Sequence, residues 1–215
     1  MQFHKVVNNY HFTFTTFESD SYYYRWIKKY VSLDLNKCVY ISTYSICCKE
    51  PEELIIPRIV GHEGIIYHVI AIDSLSDLSY VKKIFVPNSI VHITYITHNK
   101  NLEYIEFEEG GEVLFIDFHG SSVFCSNTKL KNIILPSSTK CFAVDNFAQC
   151  YSLEYIYIPE TCVIKDEDGF YDYYHDDFFV KNCPNLKYII WGNIIIEQHI
   201  INKNNFYYKI KDIDK

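Results

Sequence analysis

The heptapeptide Leu153-Glu154-Tyr155-Ile156-Tyr157-Ile158-Pro159 recurs along the chain in varied form, as Leu/Val-x-x-Ile-x-apolar and often followed by Pro. Further copies occupy residues 81–87, 102–108, 130–136 and 186–192, with a partial copy at 53–57. Alternating apolar positions such as Ile156 and Ile158 predict a short strand with one buried face. One such unit cannot build a core alone, so the copies are expected to stack into a parallel sheet.

The segment that leads into each strand also recurs. Cys150 stands three residues before Leu153, Cys183 stands three residues before Leu186, and Asn127 takes this position before Leu130. A buried thiol packs like a small hydrophobic group. We therefore predict that Cys150 and Cys183 are reduced, buried and structurally equivalent.

Together these positions resemble the BspA-type leucine-rich repeat, whose unit is similar to L-x-x-I-x-I-P followed by A-F-x-x-C. The resemblance covers residues 50–192, with Glu108 and Gly192 in place of Pro and Asn127 in place of Cys. The shortest intervals between copies fall within the roughly 20–29 residues of such repeats. The resemblance implies a strand-rich α/β solenoid, in which a leucine-rich-repeat array has one parallel sheet and irregular or short helical return segments.

Three regions follow from the extent of the pattern. Residues 1–51 are expected to form an N-terminal cap, residues 52–192 the repeats, and residues 193–215 a C-terminal cap, because a solenoid must cover its last apolar layer. Residues 11–15 alternate like a strand, whereas residues 22–30 fit either a strand or a short helix.

Composition excludes several classes of protein. The 215 residues carry a net charge of -7, which excludes a nucleic-acid partner held by a general basic surface. No run approaches the roughly 18 apolar residues that span a bilayer, so no membrane insertion is expected. Residues 1–9 contain no export signal, which predicts a cytoplasmic protein, whereas the family resemblance implies the cell surface.

The residues that could carry chemistry form no known catalytic motif. The eight cysteines lack a C-x-x-C spacing, so we expect no zinc site, no other metal and no cofactor. The acidic and aromatic insertion at 166–177 fits a solvated loop, a protein-contacting loop or a calcium loop that lacks its terminal Glu. We expect no catalytic residue. The alternative is a hydrolase or redox enzyme whose site joins Cys141 or Cys162 with a histidine in space.

The residues between the buried positions of each strand should point outward in two columns. One column contains Glu53, Lys83, Tyr104, Asn132, Tyr155 and Tyr188, and the other contains Ile55, Phe85, Glu106, Ile134, Tyr157 and Ile190. Exposed aromatic stripes of this kind mark interaction surfaces. We predict a protein-binding site at Lys83, Phe85, Tyr104, Tyr155, Tyr157 and Tyr188. The alternatives are that strand propensity alone explains these side chains, or that the N-terminal region covers them. The resemblance implies a non-catalytic scaffold of the cell-surface adhesion type.

Overall fold

A computed structural model describes residues 1–8, 10–19, 22–29, 31–46, 52–111, 114–116, 123–142, 147–162 and 182–197. These residues form strands and two short helical segments. In chain order they are β1 (Gln2–Val7), β2 (Tyr10–Thr16), α1 (Tyr22–Ile27), a 3-10 turn (Leu35–Lys37), β3 (Cys38–Ile46), β4 (Glu53–Ile55), β5 (Ile59–His62), β6 (Ile65–Ser74), β7 (Lys83–Val86), β8 (His92–Tyr95), β9 (Tyr104–Phe107), β10 (Leu114–Ile116), β11 (Asn132–Ile134), β12 (Thr139–Phe142), β13 (Tyr155–Ile158), β14 (Tyr188–Trp191) and β15 (Ile194–Glu197).

The recurring heptapeptides build one sheet, which we call the repeat sheet. Its order is β15-β14-β13-β11-β9-β7-β4, and all neighbours are parallel except β14 and β15, which form an antiparallel hairpin. The predicted buried column is present in register, and it comprises Ile84, Ile105, Ile133, Ile156 and Ile189. Each buried isoleucine contributes about 1.5–3 kcal/mol of hydrophobic free energy, so this column forms the spine of the core.

The return segments differ from the prediction. They contribute strands rather than the expected irregular or short helical segments. These strands form a second sheet, the return sheet, in the order β1-β2-β3-β6-β8-β10-β12, with β5 paired to β6. The expectation of one sheet was therefore wrong. A return segment such as β8, with four residues, is too short for a stable helix. The same four residues can form a strand because β6 and β10 supply backbone partners on both sides.

The N-terminal strands extend the return sheet. Strand β2 coincides with the predicted strand at residues 11–15, and β3 pairs in parallel with β6. Residues 22–27 adopt the helical alternative, α1. Ile27 and Leu35 pack with Ile70 and Val91 on the face of the return sheet that points away from the main core. The described part of residues 1–46 thus joins the return sheet. The limits of the two caps stay predictions.

A left-handed residue turns the chain from each return segment into the next repeat strand. Each has φ between 58° and 61°, and these residues are Asp77, His98, Ser126, Gln149 and Asn182. The next residue is the ladder position, three residues before the apolar residue that opens the repeat, and it is occupied by Leu78, Asn99, Asn127, Cys150 and Cys183. All five ladder residues are buried.

The ladder residues hydrogen-bond from one repeat to the next. Cys150 Sγ donates to the carbonyl of Phe124 at 3.1 Å, and Cys183 Sγ donates to the carbonyl of Phe147 at 2.9 Å. The backbone N–H of Cys150 in turn hydrogen-bonds to the Cys183 thiol. The predicted burial and equivalence of the two cysteines are therefore confirmed. Asn99 also occupies a ladder position, although only Cys150, Cys183 and Asn127 were recognised there from the sequence.

Candidate protein interaction face

The repeat sheet presents one face to the core and one outward, and we call the outward side chains the outer face. Pleating places them in two columns that follow the predicted register. The first column runs Glu53, Lys83, Tyr104, Asn132, Tyr155, Tyr188 and Glu197, and the second runs Ile55, Phe85, Glu106, Ile134, Tyr157, Ile190 and Ile195.

All six residues of the predicted site lie on this outer face. Tyr104 is 41% exposed and Tyr188 is 40% exposed. The others, Lys83, Phe85, Tyr155 and Tyr157, are half-buried between neighbouring rows. The structure brings the four tyrosines onto β9, β13 and β14, and Asn132 on β11 separates Tyr104 from Tyr155.

The outer face divides into a charged half and an apolar half. On β4, β7 and β9, Lys83 Nζ lies 3.1 Å from Glu53 and 2.6 Å from Glu106. Contact with these two carboxylates raises the pKa of the Lys83 ammonium. From β11 to β15, the columns contain Asn132, tyrosines, isoleucines and one charged residue, Glu197, within the described strands. Lys83 therefore belongs to an ion-pair cluster on β4, β7 and β9, whereas most of the aromatic surface lies on β13 and β14.

Strand β15 enlarges the apolar half, and no strand was predicted at these residues from the sequence. Ile195, on β15, is 64% exposed beside Ile190. Gly192 and Asn193 connect Trp191 to its partner Ile194 as a two-residue turn, with Gly192 at φ 54°. A Gly-Asn pair between two apolar runs is a hairpin signal that could have identified this strand.

A row of alternating charge runs beside the first column, and it was not noticed in the sequence. The position just before the first column alternates between negative and positive charge from repeat to repeat. Its residues are Glu52, Lys82, Glu103, Lys131, Glu154 and Lys187. Lys82 lies 2.6 Å from Glu52, Lys187 lies 2.5 Å from Glu154, and Lys131 pairs with Glu103. The row carries no net charge. Its Glu–Lys pairs each join two neighbouring repeats, so they favour the observed order of the repeats.

Lys131 also fixes an aromatic side chain of the outer face. Its ammonium lies 5.0 Å from the centre of the Tyr104 ring and donates to the Tyr104 hydroxyl at 3.1 Å. Hydrogen bonds to Glu103 and then to Tyr104 raise the pKa of Lys131. The charge row and the predicted site are thus connected, since the same lysine that pairs with Glu103 orients Tyr104.

The two departures from the Pro position have a structural reason. The backbone N–H of Glu108 donates to Val86 at 3.0 Å, and that of Gly192 donates to Ile158 at 2.9 Å. Proline could make neither bond. The Glu108 carboxylate also pairs with Arg58 and accepts the backbone N–H of Asn88 at 3.0 Å. These contacts, with the Asn88 N–H first, lower the pKa of Glu108 and join three repeats at the edge of the sheet.

A shallow, open groove crosses the outer face where β7, β9 and β11 lie side by side. Tyr104, Glu106, Glu109 and Ile134 are among the residues that line it. The Glu109 carboxylate accepts hydrogen bonds from the Ser137 hydroxyl at 2.8 Å and from the Ser137 backbone N–H at 3.2 Å. The groove contains two predicted site residues, Lys83 and Tyr104.

Three of the described thiols, those of Cys38, Cys150 and Cys183, have a pKa shift opposite to the one that a nucleophile needs. Burial is the main cause that raises the pKa of Cys38 and of Cys183 to about 11 each, and burial also raises the pKa of Cys150. A nucleophilic cysteine requires the opposite shift. Cys162 is buried, and the side chain of Cys141 lies outside the described residues, as does the insertion at 166–177.

Two kinds of feature are absent from the described ranges. No group of three or more His, Cys, Asp or Glu side chains there is arranged to hold a metal ion. No helix within those same ranges has the length and apolarity needed to cross a membrane.

Known proteins share this architecture. No family model and no curated protein matches the sequence. A leucine rich cell surface protein of Faecalibacterium prausnitzii A2-165 superimposes with a TM-score of 0.53 at 20% identity, over 89% of this chain and 40% of that one. The pneumococcal vaccine antigen PcpA superimposes with a TM-score of 0.52 at 12% identity, over 91% of this chain and 54% of that one. The chain has a leucine-rich-repeat fold.

The leucine-rich-repeat comparison concerns the fold, because identities of 20% and 12% are too low to transfer a function. The chain spans less than two thirds of the length of either structure. The predicted array of repeats is thereby supported, whereas the BspA-type assignment stays a prediction.

Proposed function

We propose that this leucine-rich-repeat protein is a non-catalytic scaffold that binds a protein partner with the outer face of its repeat sheet. The observation that carries the proposal is the apolar half of that face, where Tyr155, Tyr157 and Tyr188 adjoin Ile134 and Ile190 in register. Contiguous exposed apolar surface marks interaction sites in soluble proteins.

The tyrosines are suited to binding for a physical reason. A Tyr side chain offers a large contact area and a hydroxyl while losing the freedom of only two torsions. Neighbouring rows hold Tyr155 and Tyr157 half-buried, so little of their freedom remains to be lost on binding. Tyr104, oriented by Lys131, and Phe85 extend the surface toward the charged half, where Lys83 contributes its ion pairs.

The cell-surface and adhesion role belongs to the proposal through the family resemblance. The Faecalibacterium structure is described as a cell surface protein, and this description applies to that protein. The rival enzyme would join Cys141 or Cys162 with a histidine, and the raised pKa values of Cys38, Cys150 and Cys183 disfavour those three other thiols as its nucleophile.

The test compares the full chain with the double variant Tyr155→Ala/Tyr157→Ala. The matched control is Tyr80→Ala/Tyr151→Ala, which removes two tyrosines that are 60% and 46% exposed and lie off the outer face. Partners captured from the source organism should be lost with the first variant and kept with the second. If each tyrosine is an anchor, its loss weakens binding by about 2 kcal/mol.

Circular dichroism establishes that both double variants remain folded. Identical partners for wild type and Tyr155→Ala/Tyr157→Ala, with equal affinity, would place the binding site elsewhere. Unfolding of this variant alone would show that the two tyrosines serve the core.

A further inference from the structure

The charges of the outer face are unequal, and this inequality indicates the chemistry of a partner. On β4, β7 and β9, the two columns contain two carboxylates, Glu53 and Glu106, and a single ammonium, Lys83. Lys83 contacts both Glu53 and Glu106 and can neutralise only one of them. The neighbouring charge row does not restore the balance, because its lysines pair with its own glutamates.

Glu106 and Glu109 both line the groove, where Lys83 is the one ammonium among the described lining residues. The Glu106 side chain is 53% exposed, and Glu109, which also lines the groove, accepts a hydrogen bond from Ser137, a neutral residue. Two carboxylates with a single ammonium, Lys83, leave the groove with a net negative charge, which favours a further ammonium or guanidinium group through ion pairing. The Tyr104 ring already contacts the ammonium of Lys131. The opposite end of the face, around Tyr188 and Ile195, suits apolar side chains.

We propose that the partner docks as a protein segment with a Lys or Arg in the β7–β11 groove and an aromatic or aliphatic side chain on β13–β15. This inference rests on the proposed function and specifies the partner that the same face selects. The whole chain, with its net charge of -7, would attract such a segment over longer distances. A second copy of the chain is the less favourable occupant, since two outer faces of this charge repel each other.

The geometry also sets the spacing in the partner. Three strand-to-strand steps separate β9 from β14, which is about 14 Å at the usual 4.8 Å per step. An extended segment that crosses the strands advances about 3.3 Å per residue. The basic residue and the apolar residue should therefore stand about four positions apart in the partner sequence.

A random peptide library displayed on phage, selected on the full-length protein, tests this inference while the natural partner is still unidentified. Enriched peptides should show an excess of Lys and Arg, with an aromatic or aliphatic residue about four positions away. Synthetic copies of the best peptide should bind roughly tenfold more weakly to Glu106→Gln/Glu109→Gln, and binding to the wild type should weaken as salt rises.

The control Glu63→Gln/Asp77→Asn removes the same charge from two exposed residues away from the outer face and should bind like the wild type. Neutral or acidic enriched peptides, or no enrichment at all, would overturn the inference. Self-association that Tyr155→Ala/Tyr157→Ala abolishes, measured by light scattering, would make a second copy the occupant and also overturn it.

The design separates this inference from the proposed function. Peptides without basic residues that are lost with Tyr155→Ala/Tyr157→Ala would support the binding face and overturn its preference for cations. Basic peptides that depend on Glu106 and Glu109 but tolerate the tyrosine variant would support the charged groove and overturn the tyrosine anchors.

Discussion

The side chain of Asn127 accepts the backbone N–H of Asn99 at 3.0 Å, and both residues are fully buried. Asn127 also donates to the carbonyl of Ile96 at 2.7 Å. Asn99 repeats the arrangement one turn earlier, accepting the N–H of Leu78 at 2.8 Å and donating to Leu75 at 3.1 Å. The ladder thus satisfies the backbone groups that each left-handed turn removes from regular pairing.

Asn127→Ala is expected to destabilise the protein by about 3 kcal/mol. It leaves the N–H of Asn99 and the carbonyl of Ile96 buried without these partners, and each such group costs about 1–3 kcal/mol. Asn127→Cys, which installs the residue found at Cys150, should cost less than half as much. Urea unfolding followed by circular dichroism measures both. Equal losses would show that the ladder bonds contribute little.

His98→Gly is expected to stabilise the protein by about 0.5–1 kcal/mol. His98 is exposed at φ 59°, a conformation that is unfavourable for any residue with a Cβ atom. Lys140→Gly, at an exposed position within β12, should instead lower the stability of the protein, because glycine weakens a strand. Thermal unfolding of both variants gives the comparison, and a loss of stability in each would contradict the account of the turn.

Gly111→Ala should destabilise the protein by about 2 kcal/mol or more for two reasons. The new Cβ would lie 2.5 Å from the Asn88 carbonyl oxygen, and residue 111 has φ +95°. Gly64→Ala, at φ +80° in open space, should cost about 1 kcal/mol. Gly61→Ala has neither constraint and should be close to neutral. Chemical denaturation ranks the three variants, and a loss for Gly111→Ala no larger than that for Gly64→Ala would contradict the predicted clash with Asn88.

The protein should lose stability as the pH rises from 9 to 11. The pKa of the Cys183 thiol is raised from 9.0 to about 11, chiefly by burial, so the folded state keeps a proton that the unfolded state releases. The contribution is complete below pH 9 and falls by about 1.4 kcal/mol per pH unit across this window. Urea unfolding at pH 8, 9, 10 and 11 should show a shallower decline for Cys183→Ala. Parallel declines would exclude Cys183 as the cause.

The repeat sheet could be predicted because its signal is local and repeated. Ile156 and Ile158 are two residues apart and end at Pro159, and the same pattern at Ile133 fixes the register of the next strand. Cys150 and Cys183 could be matched because each stands at the same distance from an opening leucine. Asn99 was missed although it stands at the same distance from Leu102, and the spacing that identified Asn127 was enough to identify it as well.

The return sheet could not be predicted, since its strands are defined by their neighbours. Strand β8 has four residues, and pairing with β6 and β10 makes it a strand. The same limit applies to the outer face. Sequence placed Lys83 with the tyrosines in one column, but only the structure shows that Glu53 and Glu106 both contact its ammonium. The aromatic surface is consequently centred on β13 and β14.

A photo-crosslinking amino acid at position 157, in the full-length protein expressed in its native cells, tests most directly whether the outer face binds a partner. Position 157 lies at the centre of the apolar half, and position 80 offers an exposed tyrosine outside it for comparison. Mass spectrometry should find a protein covalently joined at position 157 and absent at position 80. Crosslinks to the same proteins at both positions, or none at position 157, would contradict a binding role for this face.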